Sequence, residues 1–212
     1  MKLFAHKKKQ SDAPSLPVLQ TERLVLRNFD LNDAVDLYAY AQSPNVGPMA
    51  GWKPHETIEE SRLTIQRFIE GGEVWAIVEK RTGRVVGSVG LHKDDKRSGV
   101  LSRELGYALG ENYWGQGIAS ESCRAALEYA FDALGCNVVS VSHFPFNQKS
   151  KRLIKKLGFQ YEGTLRRAWL LPDGTTADLL CYSLTKEEFE AAAATAKGEK
   201  KPDKQEDKAC RH

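Results

Sequence analysis

The chain has 212 residues, 41% of them hydrophobic, and 31 Lys and Arg against 28 Asp and Glu, for a net charge of +3. That length suits one well-packed domain with tails and is short for two. No run approaches the roughly 18 to 20 consecutive apolar residues of a membrane span, and Met1 to Lys9 is too poor in apolar residues for a secretory signal, so a soluble, cytoplasmic protein with no membrane partner is expected.

Cys123, Cys136, Cys181 and Cys210 stand far apart with no CxxC pair. They read as reduced thiols, with neither a metal site nor a disulfide framework. The basic excess sits in Lys7-Lys8-Lys9 and in the mixed-charge stretch Lys197 to Arg211. Solvated tails account for it, and the lack of a basic stripe interleaved with aromatics argues against a nucleic-acid partner. Residues 1–17 are polar, carry Pro14 and Pro17 and show no periodicity, and beyond about Ala191 the composition turns to Ala, Lys, Glu and Asp. The expected organisation is a disordered basic tail over 1–17, a folded domain over 18–190 and a disordered charged tail over 191–212.

Arg23 to Phe29 alternates as a strand, and Asp30-Leu31-Asn32-Asp33 supplies caps for a helix carrying Val35, Leu37, Tyr38 and Ala41 that must stop by Ser43, before Pro44. Thr57 with Glu60 forms a capping box for a helix striped by Ile58, Ile65, Phe68 and Ile69 and ended by Gly71-Gly72. Val74 to Glu79 and Val85 to Leu91 are strands joined by a hairpin at Arg81-Thr82-Gly83, and a third strand runs from Leu101 to Leu109. Ile118, Cys123, Ala126, Leu127, Ala130 and Leu134 place an amphipathic helix over 117–134, closed by Gly135. Then come a buried strand, Val138 to Val141, a short helix from about Lys149 to Leu157, and two strands, Thr164 to Leu171 and Ala177 to Leu184, around the turn Pro172-Asp173-Gly174. This order predicts a mixed sheet with a helical crossover inserted into an antiparallel series.

The most informative stretch runs from Glu104-Leu105-Gly106-Tyr107 through Trp114-Gly115-Gln116-Gly117-Ile118-Ala119-Ser120-Glu121. It joins a strand to a helix through glycines, and a helix start offers unpaired N–H groups at the positive end of a dipole, a ready site for a diphosphate. Gly115 and Gly117 remove the Cβ atoms that would block the approach. A tight connection with no ligand is the alternative, since short Gly-x-Gly patterns are common. A dinucleotide fold fits poorly because Ser120 stands where a third glycine belongs, and a Walker loop lacks its Gly-Lys-Ser/Thr ending.

Here the sequence resembles the GNAT superfamily, whose pyrophosphate loop reads Gln/Arg-x-x-Gly-x-Gly/Ala. Gly117 and Ala119 match, and Trp114 replaces the Gln or Arg. The Trp-Gly-x-Gly-x-Ala variant after Glu-Leu-Gly-Tyr is similar to the subgroup of ribosomal-protein (serine/alanine) N-acetyltransferases and their small-molecule-acetylating relatives. A second block, Asn147-Gln148-Lys149-Ser150 followed by Lys156-Leu157-Gly158-Phe159, resembles the family's Asn-x-x-Ser and Lys-Leu-Gly-Phe; both residues would equally well cap a helix. The resemblance spans about Leu19 to Phe189 and implies a mixed α/β (α+β) GNAT fold, with a central, mostly antiparallel sheet of about seven strands flanked by four helices.

The resemblance further implies acetyl-CoA as donor, with no metal, and a primary amine as acceptor, on a protein N-terminus or a small molecule. The strand bearing Tyr107, Ala108 and Leu109 would splay from its neighbour at a bulge and pair with the pantetheine arm, Trp114 to Ser120 would hold the pyrophosphate, and Asn147 would bond the arm. Ser150 stands where relatives protonate the departing thiolate. Glu104 is a candidate base acting through water, or a solvated strand end. His143 could face the same cleft, or be structural. Some members of the subgroup use a glutamate that, counted on from Glu162-Gly163, falls here on Trp169. An acceptor pocket is expected from the Pro44 to Pro54 loop, with Met49 and Trp52, and from the last hairpin, with Arg166, Arg167 and Trp169; these aromatics could equally lid the core. A homodimer is an assembly that relatives often form. The rival reading is a GNAT-like module that binds acetyl-CoA or a partner without catalysis.

Overall fold

In the computed structural model, which describes residues 15–198, the alternating segments join into one eight-stranded sheet. Its strands are β1 (Leu19–Gln20), β2 (Leu24–Asn28), β3 (Val74–Glu79), β4 (Val85–Lys93), β5 (Ser102–Leu109), β6 (Val138–His143), β7 (Gln160–Leu170) and β8 (Thr176–Thr185). They lie side by side in the order β1-β2-β3-β4-β5-β6-β8-β7, and every neighbouring pair is antiparallel except β5 and β6. The helices are α1 (Ala34–Ala41), α2 (Gly47–Ala50), α3 (Ile58–Gly71), α4 (Ile118–Glu128), α5 (Gln148–Lys156) and α6 (Lys186–Gly198).

The sheet thus has one strand and two helices more than the sequence leads one to expect. β1 is too short to show alternation. α2 is a single turn with Pro48 at its start, where a missing N–H costs nothing. α6 begins at a capping box, in which Thr185 Oγ1 accepts from the Glu188 N–H and the Glu188 carboxylate accepts from the Thr185 N–H. The helix continues to Gly198, past the expected domain end at Glu190. At the other end, the Leu16 N–H donates to Asn28 Oδ1 at 3.1 Å and Trp75 Nε1 donates to the Pro17 carbonyl at 2.8 Å, so part of the expected tail is fastened to the sheet. Tail residues 1–14 and 199–212 lie outside the described residues.

Each face of the sheet buries its own core. Leu24, Leu26, Trp75, Ile77, Val89, Leu91 and Leu105 pack against Ile118, Leu127 and Ile154 of α4 and α5. Ala76, Val78 and Val85 pack on the other face against Leu37, Tyr40 and Ile65 of α1 and α3. The helix expected over 117–134 is split: after Glu128 the chain widens into a π-turn, Tyr129–Ala133, in which the Leu134 N–H donates to the Tyr129 carbonyl at 3.0 Å. The widened turn sets Tyr129 edge-on to Trp75, with centroids 5.4 Å apart.

The feature that positions the site is a fork. β5 pairs with β6 only from Ser102↔Val138 to Glu104↔Ser140, after which β6 continues along β8 while β5 stays on β4 alone. The β4–β5 register runs without a shift from Gly87↔Leu109 to Lys93↔Arg103, so the expected splay occurs but no bulge produces it.

The start of α4 is moored to the far side of the sheet by one carboxylate. Glu121 accepts from Thr21 Oγ1 at 2.5 Å, from the Arg23 N–H at 2.9 Å and from the Arg23 guanidinium at 2.7 Å. Burial alone would raise the Glu121 pKa, but these donors outweigh it and hold the carboxyl below its usual range. A depressed carboxyl stabilises the fold above its unfolded pKa, about 4.3, and the contribution is lost as pH falls through the folded value. Because Arg23 is half exposed and solvent screens the pair, Glu121→Gln is expected to lower stability at pH 7 by only about 1 kcal/mol. Urea titrations at pH 7 and pH 3 should show that difference shrinking in acid, and an unchanged difference would count against the mooring.

Candidate active site

The loop between β5 and α4 has the shape of an anion cradle. Gly115 and Gly117 have φ of +74° and +80°, conformations that side-chain-bearing residues rarely adopt, and no atom lies within 4 Å of where a Cβ on Gly115 would stand. Gly117 caps α4, whose first helical bond here is from the Glu121 N–H to the Gly117 carbonyl, so the N–H groups of Ile118, Ala119 and Ser120 have no carbonyl within the helix to bond. Trp114 braces this loop: its Nε1–H donates to the Leu109 carbonyl at 2.8 Å, and the Lys149 ammonium sits 3.3 Å above its ring. Gln116, named from the sequence as a ligand contact, turns aside. Its side chain donates to the Asn112 carbonyl, and its own carbonyl accepts from Arg23.

From the loop, a cavity of about 1370 Å³ extends past Tyr107, Ala108 and Leu109 on β5 to Asn147 and Ser150 at the start of α5. Lys149, Arg152 and Lys156 line it as well, which favours an anionic occupant. Tyr107 Oη and Ser150 Oγ are 2.7 Å apart, on the α4 and α5 side of the sheet. Burial, with the Cys123 sulfur adding to it, pushes the Tyr107 phenol well above its ordinary pKa against the opposing pull of Ser150, so the phenol stays protonated. The sequence reading used only the backbone of Tyr107. Its side chain is found by noting that alternation puts Leu105 and Tyr107 on the same face.

The expected acceptor wall is partly assembled. Met49, Trp52 and Trp169 line the cavity together with Phe144 and Phe146. Trp169 Nε1 reaches toward the Gly51 carbonyl at 3.4 Å, and its ring meets Phe144 edge-on. Asn147 joins the two halves of the site, since its Oδ1 accepts from the Ser150 N–H at 3.0 Å and its Nδ2 donates to the Met49 carbonyl at 2.9 Å. Tyr40, also in the wall, is buried with no partner in hydrogen-bond geometry for its hydroxyl.

Three of the expected residues have other employment. Arg167 lies outside the cavity: it has a φ of +51° in an irregular part of β7, and its N–H and Nε donate to Asp178 and Thr176 of β8. His143 does line the cavity, as expected, but it is buried and stacked on Tyr182, with Nδ1 2.7 Å from the Phe144 carbonyl and Nε2 3.3 Å from the Tyr182 hydroxyl, so both nitrogens have partners within the protein. Burial lowers its pKa against that carbonyl bond and keeps the ring neutral. Glu104 borders the cavity at the fork, where it pairs with Lys96 at 2.6 Å and accepts from Ser142 Oγ at 3.0 Å. The sequence reading missed His92, which lines the cavity opposite Glu104 with its Nδ1 3.2 Å from Glu73. The signal was present as the period-two run Ser88, Gly90, His92, which puts all three on one face.

Comparisons with known proteins agree with this geometry. The acetyltransferase (GNAT) domain profile matches residues 23–160. An uncharacterised N-acetyltransferase, p20, of Bacillus licheniformis is 34% identical over 82% of this chain and 99% of its own length. The ribosomal protein uS5-alanine N-acetyltransferase of Escherichia coli is 31% identical over 79% of this chain and 90% of its own. Among solved structures, RimJ of Mycobacterium smegmatis in complex with CoA-disulfide superposes with a TM-score of 0.68 at 22% identity, over 86% of this chain and 95% of that one. The glycine loop at a forked sheet and these matches together place the chain in the GNAT acetyltransferase family, as an N-acetyltransferase.

Proposed function

We propose that the protein transfers the acetyl group of acetyl-CoA to a primary amine by direct attack, the acceptor being a protein N-terminal α-amine or a small-molecule amine. The observation that carries this reading is the open edge of β5, with the glycine cradle at one end and the Tyr107–Ser150 pair beside it. The cradle suits a diphosphate, the unpaired β5 edge from Leu105 onward suits an amide-bearing arm, and the CoA ligand of the RimJ structure agrees with both. Acetyl-CoA supplies an acyl group already activated as a thioester.

The chain's own part is positioning and proton management. N–H groups along β5 can polarise an acyl carbonyl, and an amine held on the α1 and α3 side of the strand faces it in attack geometry. Tyr107, kept protonated by its surroundings, gives a proton to the leaving sulfur and regains one through Ser150. The aromatic wall of Trp52, Phe144, Phe146 and Trp169 suits a cationic amine before it loses its proton. Trp169, in the position where some relatives carry glutamate, closes the hairpin side of the cavity and favours a slim acceptor. Buried free Cys123, Cys136 and Cys181 fit a reducing cytoplasm, and the exposed edge of β7 offers a surface for a homodimer.

Calorimetric titration with acetyl-CoA, followed by thiol release against an Ala-initiated peptide, spermidine and free amino acids, tests the reading. Binding with thiol released by one of these acceptors supports an enzyme; binding without release by any of them supports a non-catalytic module. Gly117→Ala forces a Cβ into a left-handed cap, 3.3 Å from the Arg23 guanidinium, and so disturbs the loop; it is expected to weaken acetyl-CoA at least tenfold, on the order of 1.4 kcal/mol, with unaltered circular dichroism. Tyr107→Phe is expected to lower kcat roughly 10²-fold or more while Kd for acetyl-CoA holds, and Ser150→Ala to lower it less. Equal losses in kcat and Kd would make the pair a binding element only.

A further inference from the structure

Whatever the acceptor, it reaches the site as an ammonium and must shed a proton before it can attack. Glu104, the carboxylate the sequence pointed to, is engaged by Lys96 and Ser142. On the same face, directly across the β4–β5 ladder from Glu104, stands His92. Its Nδ1 lies 3.2 Å from Glu73 Oε2, in the segment just before β3, and the ring is partly open to solvent. The rest of the ring lies over two glycines, Gly90 on its own strand and Gly106 on β5. A Cβ at either position would stand 3.0 to 3.1 Å from His92 Nε2, tighter than side chains accept without moving it. The bare floor therefore lets Nε2 lie along the sheet toward Gly106–Ala108, the part of β5 whose other edge is open.

We propose that His92 is the general base of the acetyl transfer, oriented by Glu73. This rests on the acetyltransferase reading above and extends it to the proton's destination. In the neutral ring, Nδ1–H donates to the Glu73 carboxylate, which leaves the Nε2 lone pair facing the cavity. The ammonium gives its first proton to Nε2: the N–H bond of the amine breaks, an Nε2–H bond forms, and the freed lone pair of the amine attacks the acyl carbon. Glu73 balances the charge of the imidazolium, which then releases its proton to water through the exposed side of the ring. Once the N–C bond has formed, the second proton also passes from the nitrogen to Nε2, which has by then given the first to water. Tyr107, having given its proton to the sulfur as the C–S bond breaks, takes one back from water through Ser150, so the cycle closes with one proton released. Base and acid stand on opposite faces of the sheet, as alternation and the β4–β5 register require, with His92 opposite Glu104 and Tyr107 opposite Val89. Glu73 touches the ring, Glu104 with its partner Lys96 stands across the ladder from it, and Arg67 and His55 line the same cavity.

The test combines kinetics with a measurement on the free protein. With whichever of the Ala-initiated peptide, spermidine or free amino acids the wild type acetylates, His92→Gln is expected to lower kcat by about 10² to 10⁴ and to abolish a one-proton acid limb in the kcat–pH profile, with acetyl-CoA Kd and Tm unchanged. Glu73→Gln should cost a smaller factor, and Glu104→Gln should lose less than His92→Gln. Long-range 1H–15N spectra of the wild type without ligand should show neutral His92 protonated on Nδ1. A neutral ring protonated on Nε2, or a His92→Gln enzyme that keeps its rate and its acid limb, overturns the base while leaving the acetyltransferase reading intact. A wild type that binds acetyl-CoA but acetylates none of these probes removes that reading and the base with it.

Discussion

The rest of the site depends on the parting of β5 from β6 after Glu104. A strand inside a sheet normally spends its backbone hydrogen bonds on both neighbours, and each buried group left without a partner costs about 1 to 3 kcal/mol. From Leu105 to Leu109, β5 has a strand on one side only, so the fold holds a row of donors and acceptors in reserve in its own interior. The fork is clasped at its vertex: Glu104, the last β5 residue in register with β6, accepts from Ser142 of β6 and pairs with Lys96 from the loop before β5. Its chemistry is thereby spent on geometry, holding the two strands together at the point where they begin to separate.

The open edge runs straight into the glycine cradle, because β5 ends at Leu109 and the Leu109 carbonyl is bonded by Trp114. An unpaired strand edge and a helix start are complementary binding surfaces, one for an amide-bearing chain and the other for phosphate. Their fixed spacing is what a long, flexible ligand needs in order to be held straight. Alternation does the remaining sorting: Tyr107 faces Ser150 and α5, while Gly106 and Ala108 face the cavity beneath α1 and α3. The proposed donor and acceptor sides are thus separated by the thickness of one strand.

What could be read from the sequence follows from which signals are local. Caps and glycine stops placed α3 closely, with Thr57 accepting from the Glu60 N–H and Gly72 at φ +60°, because both ends are written in adjacent residues. The glycine loop was legible for the same reason. The π-turn after Glu128 was not, since it answers to the packing of Tyr129 on Trp75, a partner far away in sequence. Side-chain roles divided likewise. Asn147 and Ser150 sit in a motif and were named, whereas the Tyr107 phenol and the His92–Glu73 pair arise from strand register, which juxtaposes residues that no local window contains. Arg167 misled because composition marks a hairpin as polar and aromatic without saying which way each side chain turns. An irregularity in β7 between Leu165 and Trp169 turned this one outward.

The two halves of the site are also mechanically joined, and the joints fall at the loops that most need ordering. Asn147 caps α5 through Ser150 and holds the 44–54 loop through the Met49 carbonyl; the carboxylate of Glu111, in the turn after β5, accepts from Ser43 and Asn45 at the start of that loop. Trp169 reaches the same loop at Gly51. A segment with little secondary structure of its own is thus fixed near its start and in its middle by elements that line the cavity. On the proposed reading, a donor that steadies α5 or the β5–α4 turn steadies this loop through the same bonds, so order gained on one side of the strand lowers the ordering cost on the other. For a transfer that depends on holding two reactants in line, such shared ordering would itself stabilise the transition state.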